Sequence, residues 1–352
     1  MELDPLVERA VHSELFTAPR LAADLQRFLD EHRPAALALA AEARERGIRT
    51  VYFTGSGGSW SAMYSGKYLA DRFSAALATD AVLSYELTWR DPARLGRDAL
   101  VFAASYSGET EDTVAAVRHA KRRGAWTVGL TNRESCTVAN ETDTGIAYGS
   151  TALYAMPMAA VSLFALEHAR LGGSEEAAEV LAAFDALPDI IARAYEDERE
   201  RGLHAARELL AAQTLYCIGA GPLYGLAYKF ALTVFMENIR THGSIVESAE
   251  FRHGPAEMLE RQRADMVFLV GTDSSRAMTL RSLDFARKQG ANTVVYDAAD
   301  HAGLHPLLSP FVLKVGLQWL VVHSALLRGI LDLDDRVFMG HQVLAEGGAR
   351  WP

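Results

Sequence analysis

Apolar positions along this chain fall into short runs, separated by glycine- and serine-rich turns and by longer amphipathic stretches. The runs near 50–54, 80–85, 99–104, 126–131 and 144–148 read as strands, because each is short and ends in turn residues. Amphipathic stretches near 60–73, 111–123 and 153–171 read as the helices between and after them. The pattern then recurs, with strands near 214–218, 244–247, 265–270, 292–296 and 311–315 and helices near 224–241, 276–289 and 317–330. Residues 6–46 read as leading helices, and the Ala-, Leu-, Glu- and Arg-rich stretch near 174–212 as a helical link between the halves.

The recurrence is visible in the residues themselves. Val51-Tyr-Phe-Thr-Gly-Ser-Gly57 matches Leu215-Tyr-Cys-Ile-Gly-Ala-Gly221 at an offset of 164 (215 − 51). Val101–Ser105 matches Val267–Gly271, and Thr127–Asn132 matches Thr293–Ala298, both at an offset of 166 (267 − 101 and 293 − 127). A nearly constant offset over three elements marks an internal repeat. Strands alternating with helices predict an α/β fold, with two tandem domains that are each a parallel sheet flanked by helices in a flavodoxin-like αβα sandwich. The boundaries that follow are helices over 1–46, a first domain over 47–195, a second over 196–331 and an irregular tail over 332–352.

Composition narrows the function. With 49% hydrophobic and 23% charged residues, 352 residues bury a large core. The net charge of −10 gives no global reason to bind nucleic acid or an anionic membrane, so an anionic ligand must be held by local donors. Cys136 and Cys217 form neither a disulfide framework nor a metal spacing, which fits a reducing, cytoplasmic setting. The first twenty residues carry no signal-peptide pattern. The apolar stretch Phe311–Leu327 holds Lys314, Gln318 and His323, and reads as a buried strand and core helix, not a membrane span. His301 and His305 are split by Gly303, and no metal site is read.

In an open parallel sheet, ligands bind beyond the carboxyl ends of the strands, where helix amides are unpaired. Two first-half loops are predicted there. Gly55-Ser-Gly57-Gly-Ser59 brings backbone close to an anion, and Ser105-Tyr-Ser107-Gly-Glu-Thr110 offers three hydroxyls beside a glycine. Ser107 and Thr110 are equally readable as helix N-caps, and it is the pair of loops that favours a phosphate. A dinucleotide reading fails, since Trp60 stands where the fingerprint needs Gly or Ala. The second-half counterparts, Gly219–Leu223 and Gly271–Arg276, lack the Ser-x-Ser-Gly pattern, which places the phosphate in the first half.

Glu237 and His253 stand 16 residues apart, separated by the run that leads to Gly254-Pro255. Glu237 lies in an apolar helical run, where burial would raise its pKa and suit a group that takes and returns a proton; a structural ion pair with Arg240 or Lys229 is the alternative. His253 precedes a turn dipeptide and is expected on a loop, as a catalytic group or as an exposed side chain. Glu247, Glu250 and Glu257 cluster nearby as cleft or surface charges.

Together the repeat, Ser105-x-Ser-Gly-Glu-Thr110 and Glu250-Phe-Arg-His-Gly-Pro255 resemble the sugar isomerase (SIS) domain family, and within it the fructosamine-6-phosphate deglycases, from about Val51 to the tail. The resemblance implies two tandem SIS domains and an enzyme that cleaves 6-phosphofructosyl amines to glucose 6-phosphate and free amine, without metal or organic cofactor. It assigns phosphate contacts to Ser59, Ser105, Ser107 and Thr110, and catalysis to Glu237 and His253. It also implies a homodimer whose histidine segment crosses the interface, with the tail after Asp332 near the site. The aminotransferases of the family carry a lysine where this chain has Val234 and another near their C-terminus, whereas the last lysine here is Lys314. An aminosugar-phosphate isomerase or deaminase and a non-catalytic sugar-phosphate regulator are the rival readings. The amine released is not legible.

Overall fold

The computed structural model describes residues 4–335, so residues 336–352 of the expected tail lie outside the described residues. Helices α1 Asp4–Ala10 and α2 Ala18–Glu45 lead the chain. The first series is β1 Thr50–Gly55, α3 Gly58–Phe73, β2 Ala78–Leu83, α4 Ser84–Arg90, β3 Ala99–Ser105, α5 Glu111–Arg123, β4 Trp126–Thr131, α6 Thr137–Glu141, β5 Thr144–Ala147 and α7 Ala155–Leu171. Helices α8 Glu175–Ala183 and α9 Leu187–Glu208 follow. The second series is β6 Thr214–Gly219, α10 Tyr224–Tyr228, α11 Phe235–Asn238, β7 His242–Glu247, β8 Asp265–Val270, α12 Arg276–Lys288, β9 Asn292–Asp297 and α13 Ser309–Leu327.

Contacts divide the chain into two compact units, Ala23–Pro188 and residues 4–22 with 189–335. This differs from the sequence boundaries in two places. Residue 195 falls inside the continuous helix α9. Residues 4–22 pack with the second series because buried polar groups on α13 need partners. Lys314 Nζ donates to Thr17 Oγ1 at 2.6 Å, and Gln318 Nε2 to the Leu15 carbonyl at 3.0 Å. Asp334 adds to this, accepting from the Ser13 hydroxyl at 2.7 Å and from the amides of Glu14 and Leu15.

The first unit holds a five-stranded sheet in the order β2-β1-β3-β4-β5, with every pair parallel. Strands β1, β3 and β4 are buried along their whole length, as expected for strands covered on both faces. Phe53 and Phe102 stack at 5.5 Å across β1 and β3, and Phe164 of α7 meets Phe102 edge-on at 4.7 Å. The second unit holds a four-stranded parallel sheet in the order β7-β6-β8-β9.

The strand expected at 311–315 is not a strand. It forms one helix, α13, with the helix expected at 317–330. All but the last residue of α13 are buried. A segment apolar on every side has neither a period of two nor one of 3.6, so periodicity cannot separate strand from core helix. The stretch Pro306–Leu327 is long and apolar enough to cross a bilayer, yet its most apolar window is 94% buried inside the protein.

The helix expected at 224–241 is also modified. Between α10 and α11 the residues Lys229–Val234 take π-helical geometry. Gly243 of β7 lies against this segment so closely that a Cβ there would collide with the Ala231 carbonyl oxygen. Only glycine lets the strand lie against the π turn.

Each unit encloses a buried histidine. His168 of α7 is 2% exposed, with its Nδ1 3.2 Å from the Ser74 hydroxyl, and burial lowers its pKa to about 4. His323 of α13 is 3% exposed and stacks on Trp319, and burial again lowers its pKa to about 4. The unfolded chain binds these protons at about pH 6.5, so their contribution is complete above that value and is lost as pH falls through about 4. The melting temperature should therefore decline between those values, by up to about 3 kcal/mol of stability per histidine. His168→Gln should flatten the decline; an unaltered slope in this variant and in His323→Gln would assign the acid sensitivity to other groups.

Candidate functional site

Strand β1 has β2 on one side and β3 on the other, so successive connections leave it in opposite directions. Such a switch point opens a crevice at the carboxyl ends of the strands. Gly55 pairs with Ala104, so the loop after β1 and the loop after β3 begin side by side. Helix α3 starts at Gly58 and α5 at Glu111, and no side chain caps either N-terminus. Two sets of helix amides are thus left to an anion in the crevice.

The residues expected to hold a phosphate sit in these loops. Gly57 takes the left-handed φ of 53° that turns the chain into α3, and Ser59 lies in the first turn, its amide donating to the Ser56 carbonyl at 3.0 Å. Ser105 ends β3; its hydroxyl is 2.7 Å from Thr110 Oγ1 and accepts from the Gly108 amide at 3.1 Å. Ser107 is exposed, and its hydroxyl accepts from the Glu109 amide at 3.1 Å. The N-cap alternative fails for Thr110, whose hydroxyl meets Ser105 and not the helix amides.

Three side chains that sequence reasoning passed over shape this crevice. Asp112 accepts a hydrogen bond from the Ser56 hydroxyl and so ties the two loops together. Glu109 accepts from the hydroxyl of Thr137 at 2.5 Å and from its amide at 2.9 Å, and the hydroxyl bond chiefly lowers its pKa. Cys136 lies directly under Gly108, where φ is 71° and a Cβ would collide with the thiol. The acidic first turn of α5 was the one available signal, and it reads equally well as a complement to the helix dipole.

In the second unit β6 and β8 form the matching switch point. Here Asp273 fills the space between the loops. Its Oδ1 accepts from the Ser275 amide at 2.9 Å, and a Cβ on Gly221 would lie 2.9 Å from the same atom. An anion entering there would meet that carboxylate.

Glu237 lies on α11 and is half-buried, not enclosed in the core as its apolar surroundings suggested. Beside it, Asn238 Nδ2 donates to the Leu333 carbonyl at 3.2 Å, and Arg240 donates to the Asp335 carbonyl at 3.3 Å. The last described residues therefore lie at the end of α11. His253 is exposed and sits in a single 3-10 turn, Glu250–His253, instead of an open loop. Glu247 holds that turn, its Oε2 accepting from the amides of Ala249 at 2.7 Å and Glu250 at 3.1 Å. Arg252 Nε donates to His253 Nε2 at 3.0 Å. Glu250 and Glu257 are exposed.

Within one chain Glu237 and His253 flank opposite ends of β7. Glu237 precedes the start of β7 and His253 follows its end, and six residues of strand separate those ends by roughly 17 Å. The turn bearing His253 packs through Phe251 on Phe268 and on Phe285 of α12. The connection from β6 to β7 runs opposite to that from β8 to β9, so right-handed crossovers place α10–α11 and α12 on opposite faces of the sheet. Among the described residues, no group of three or more His, Cys, Asp or Glu could hold a metal ion.

Residues 50–166 match the SIS domain family. The chain is similar to fructoselysine 6-phosphate deglycase of Escherichia coli (strain K12), being 29% identical over 329 residues that cover 93% of this chain and 96% of that protein. It is also similar to fructosamine deglycase FrlB of Bacillus subtilis (strain 168), at 28% identity over 72% of this chain and 78% of that protein. A solved structure from Bacillus subtilis, provisionally described as a phosphosugar isomerase, superposes with a TM-score of 0.78 at 25% identity, covering 87% of this chain and 96% of that one. The matched segment contains the whole first sheet and both cradle loops, so residues 50–166 form a SIS domain.

Proposed function

We propose that this chain is a deglycase, which cleaves a 6-phosphofructosyl amine to glucose 6-phosphate and the free amine. Two similarities support the reading, one to deglycases over nearly the whole chain and one in the crevice of neutral donors at the β1/β3 switch point. The separation of Glu237 from His253 within one chain carries the reading further. We read a site that uses both as drawing them from two copies, with a homodimer of shared sites as the working form.

In this mechanism the first-unit loops hold the phosphate and position C1 and C2 of the open-chain sugar. Glu237 takes a proton from C1; the C1–H electrons form the C1=C2 bond, and the C2 carbonyl oxygen gains a proton to give an enaminol. The nitrogen lone pair then forms C1=N as C2 is protonated, which leaves the Schiff base of glucose 6-phosphate. Water adds at C1, the C1–N bond breaks, and the amine leaves with a proton. His253 of the second copy opens the ring and moves protons at the sugar oxygens. Nitrogen and oxygen lone pairs supply the electrons, so the steps balance without an added oxidant or reductant.

Purified protein should release glucose 6-phosphate from at least one member of a panel of 6-phosphofructosyl amino acids. Ammonia from glucosamine 6-phosphate would favour the deaminase reading instead, and saturable binding without turnover the regulator. Glu237→Gln and His253→Ala should each lower kcat about 100-fold or more. Co-expressed, the two inactive chains should recover about a quarter of wild-type activity, because half of randomly paired dimers are mixed and each carries one intact site. Absence of recovery in proven mixed dimers would remove the shared site.

A second expectation concerns the cradle. Gly108→Ala introduces both a collision with Cys136 and a strained φ, and should cost about 1–3 kcal/mol of stability and raise KM for the phosphorylated substrate. Adding Cys136→Gly should return the steric part alone. Thermal melts and KM against a non-phosphorylated analogue read the two effects separately, and equal loss for both substrates would detach this loop from the phosphate.

A further inference from the structure

At the amino ends of the first sheet's strands, opposite the crevice, two clefts lie side by side. One, of about 640 Å3, is lined by Arg49, Arg94, Arg97 and a single carboxylate residue, Asp98, among small residues. The other, of about 520 Å3, is lined by Arg46, Lys121 and Asp143, and Arg97 lines both. Arg46 and Lys121 are already engaged. Arg46 pairs with Glu42 at 2.6 Å and covers Trp126 at 4.6 Å, and Lys121 pairs with Asp143 at 3.1 Å. Arg49, Arg94 and Arg97 make no side-chain hydrogen bond or ion pair to any described residue.

The three share one cleft. Acidic residues outnumber basic ones by ten (45 − 35), so carboxylate partners are in surplus. Cations near the ends of helices offset the helix dipole, as Lys121, Arg122 and Arg123 do on α5. Arg49 lies in the loop from α2 to β1, and Arg94 and Arg97 in the loop from α4 to β3, each beyond the last turn of the preceding helix. One carboxylate does not neutralise three guanidiniums, and an anion lying among them is attracted by all three. The planar fork of arginine matches phosphate, and clefts of this volume suit a small molecule.

We propose that this rim binds a small polyanion bearing two or more phosphate groups, with Arg49, Arg94 and Arg97 as its anchors. The site is separate from the cradle in place and in chemistry, and it stands whether or not the deglycase reading does. The test is calorimetric titration of the full chain with inorganic tripolyphosphate at two salt concentrations. One equivalent per chain should bind, more weakly at the higher salt. Arg97→Ala should weaken binding about tenfold, and Arg49→Ala or Arg94→Ala by a similar factor. Arg97→Lys should restore binding only in part, since it returns the charge without the fork. Ser107→Ala should leave it unchanged. These arginines are exposed, so the variants should melt as the wild type does. Absence of saturable binding, binding that the arginine variants leave intact, or binding lost with Ser107→Ala would each overturn the proposal.

Discussion

Both sheets are wholly parallel, and each reverses its direction of growth once, between β1 and β3 and between β6 and β8. Everything that bears on chemistry follows from this pairing. Because β2 is thrown to one side of β1 and β3 to the other, two loops and two helix starts without side-chain caps face one crevice. The second sheet repeats the geometry but not its chemistry. Where the first unit has Ser105, Ser107 and Thr110, the second has Asp273 packed against Gly271 and Gly221. One fold, used twice, thus carries a hydroxyl-rich loop in one unit and a carboxylate between the loops in the other.

Parallel pairing also decides what Glu237 and His253 can do. In a parallel sheet the helix between two strands returns to the amino end, so a residue just before β7 and a residue just after it lie at opposite edges. The proposed joint action of the two residues accordingly draws on two copies. An exposed His253, held by Glu247 in a rigid turn, is suited to reach into another copy. The π segment before α11 sets the angle at which Glu237 leaves its helix, and Gly243 is the residue that permits it.

Much of this was legible from residues alone, and the remainder has physical reasons. Strands such as Val101–Ser105 announce themselves because a buried strand is a short apolar run with turn residues at its end. Helix α13 does not, because a segment apolar on all sides carries no period. The pairing of Thr17 with Lys314 joins residues 297 apart, and nothing local to either marks it. Ser105 and Thr110 were recognisable as a donor cluster, but the bond between them, which takes Thr110 out of the capping role, depends on the loop's path. The tie from Ser56 to Asp112 joins two loops that only the strand order makes neighbours. Glu237 is half-buried despite its apolar neighbours in sequence, because exposure depends on tertiary packing that the local pattern does not carry.

The contrast between the two ends of the first sheet bears on turnover. In the proposed reaction the phosphate is present in substrate, enaminol, Schiff base and product alike, so holding it tightly would be uniform binding that retains product as firmly as substrate. Hydroxyls and backbone amides anchor such a group enough to orient C1 and C2, and still release it. Three unpaired guanidiniums would do the opposite, gripping a polyanion at the cost of exchange. An acidic chain that places neutral donors in the crevice and its unpaired arginines at the far edge separates passage from retention. That separation is what a catalytic cradle and a distinct polyanion site each require.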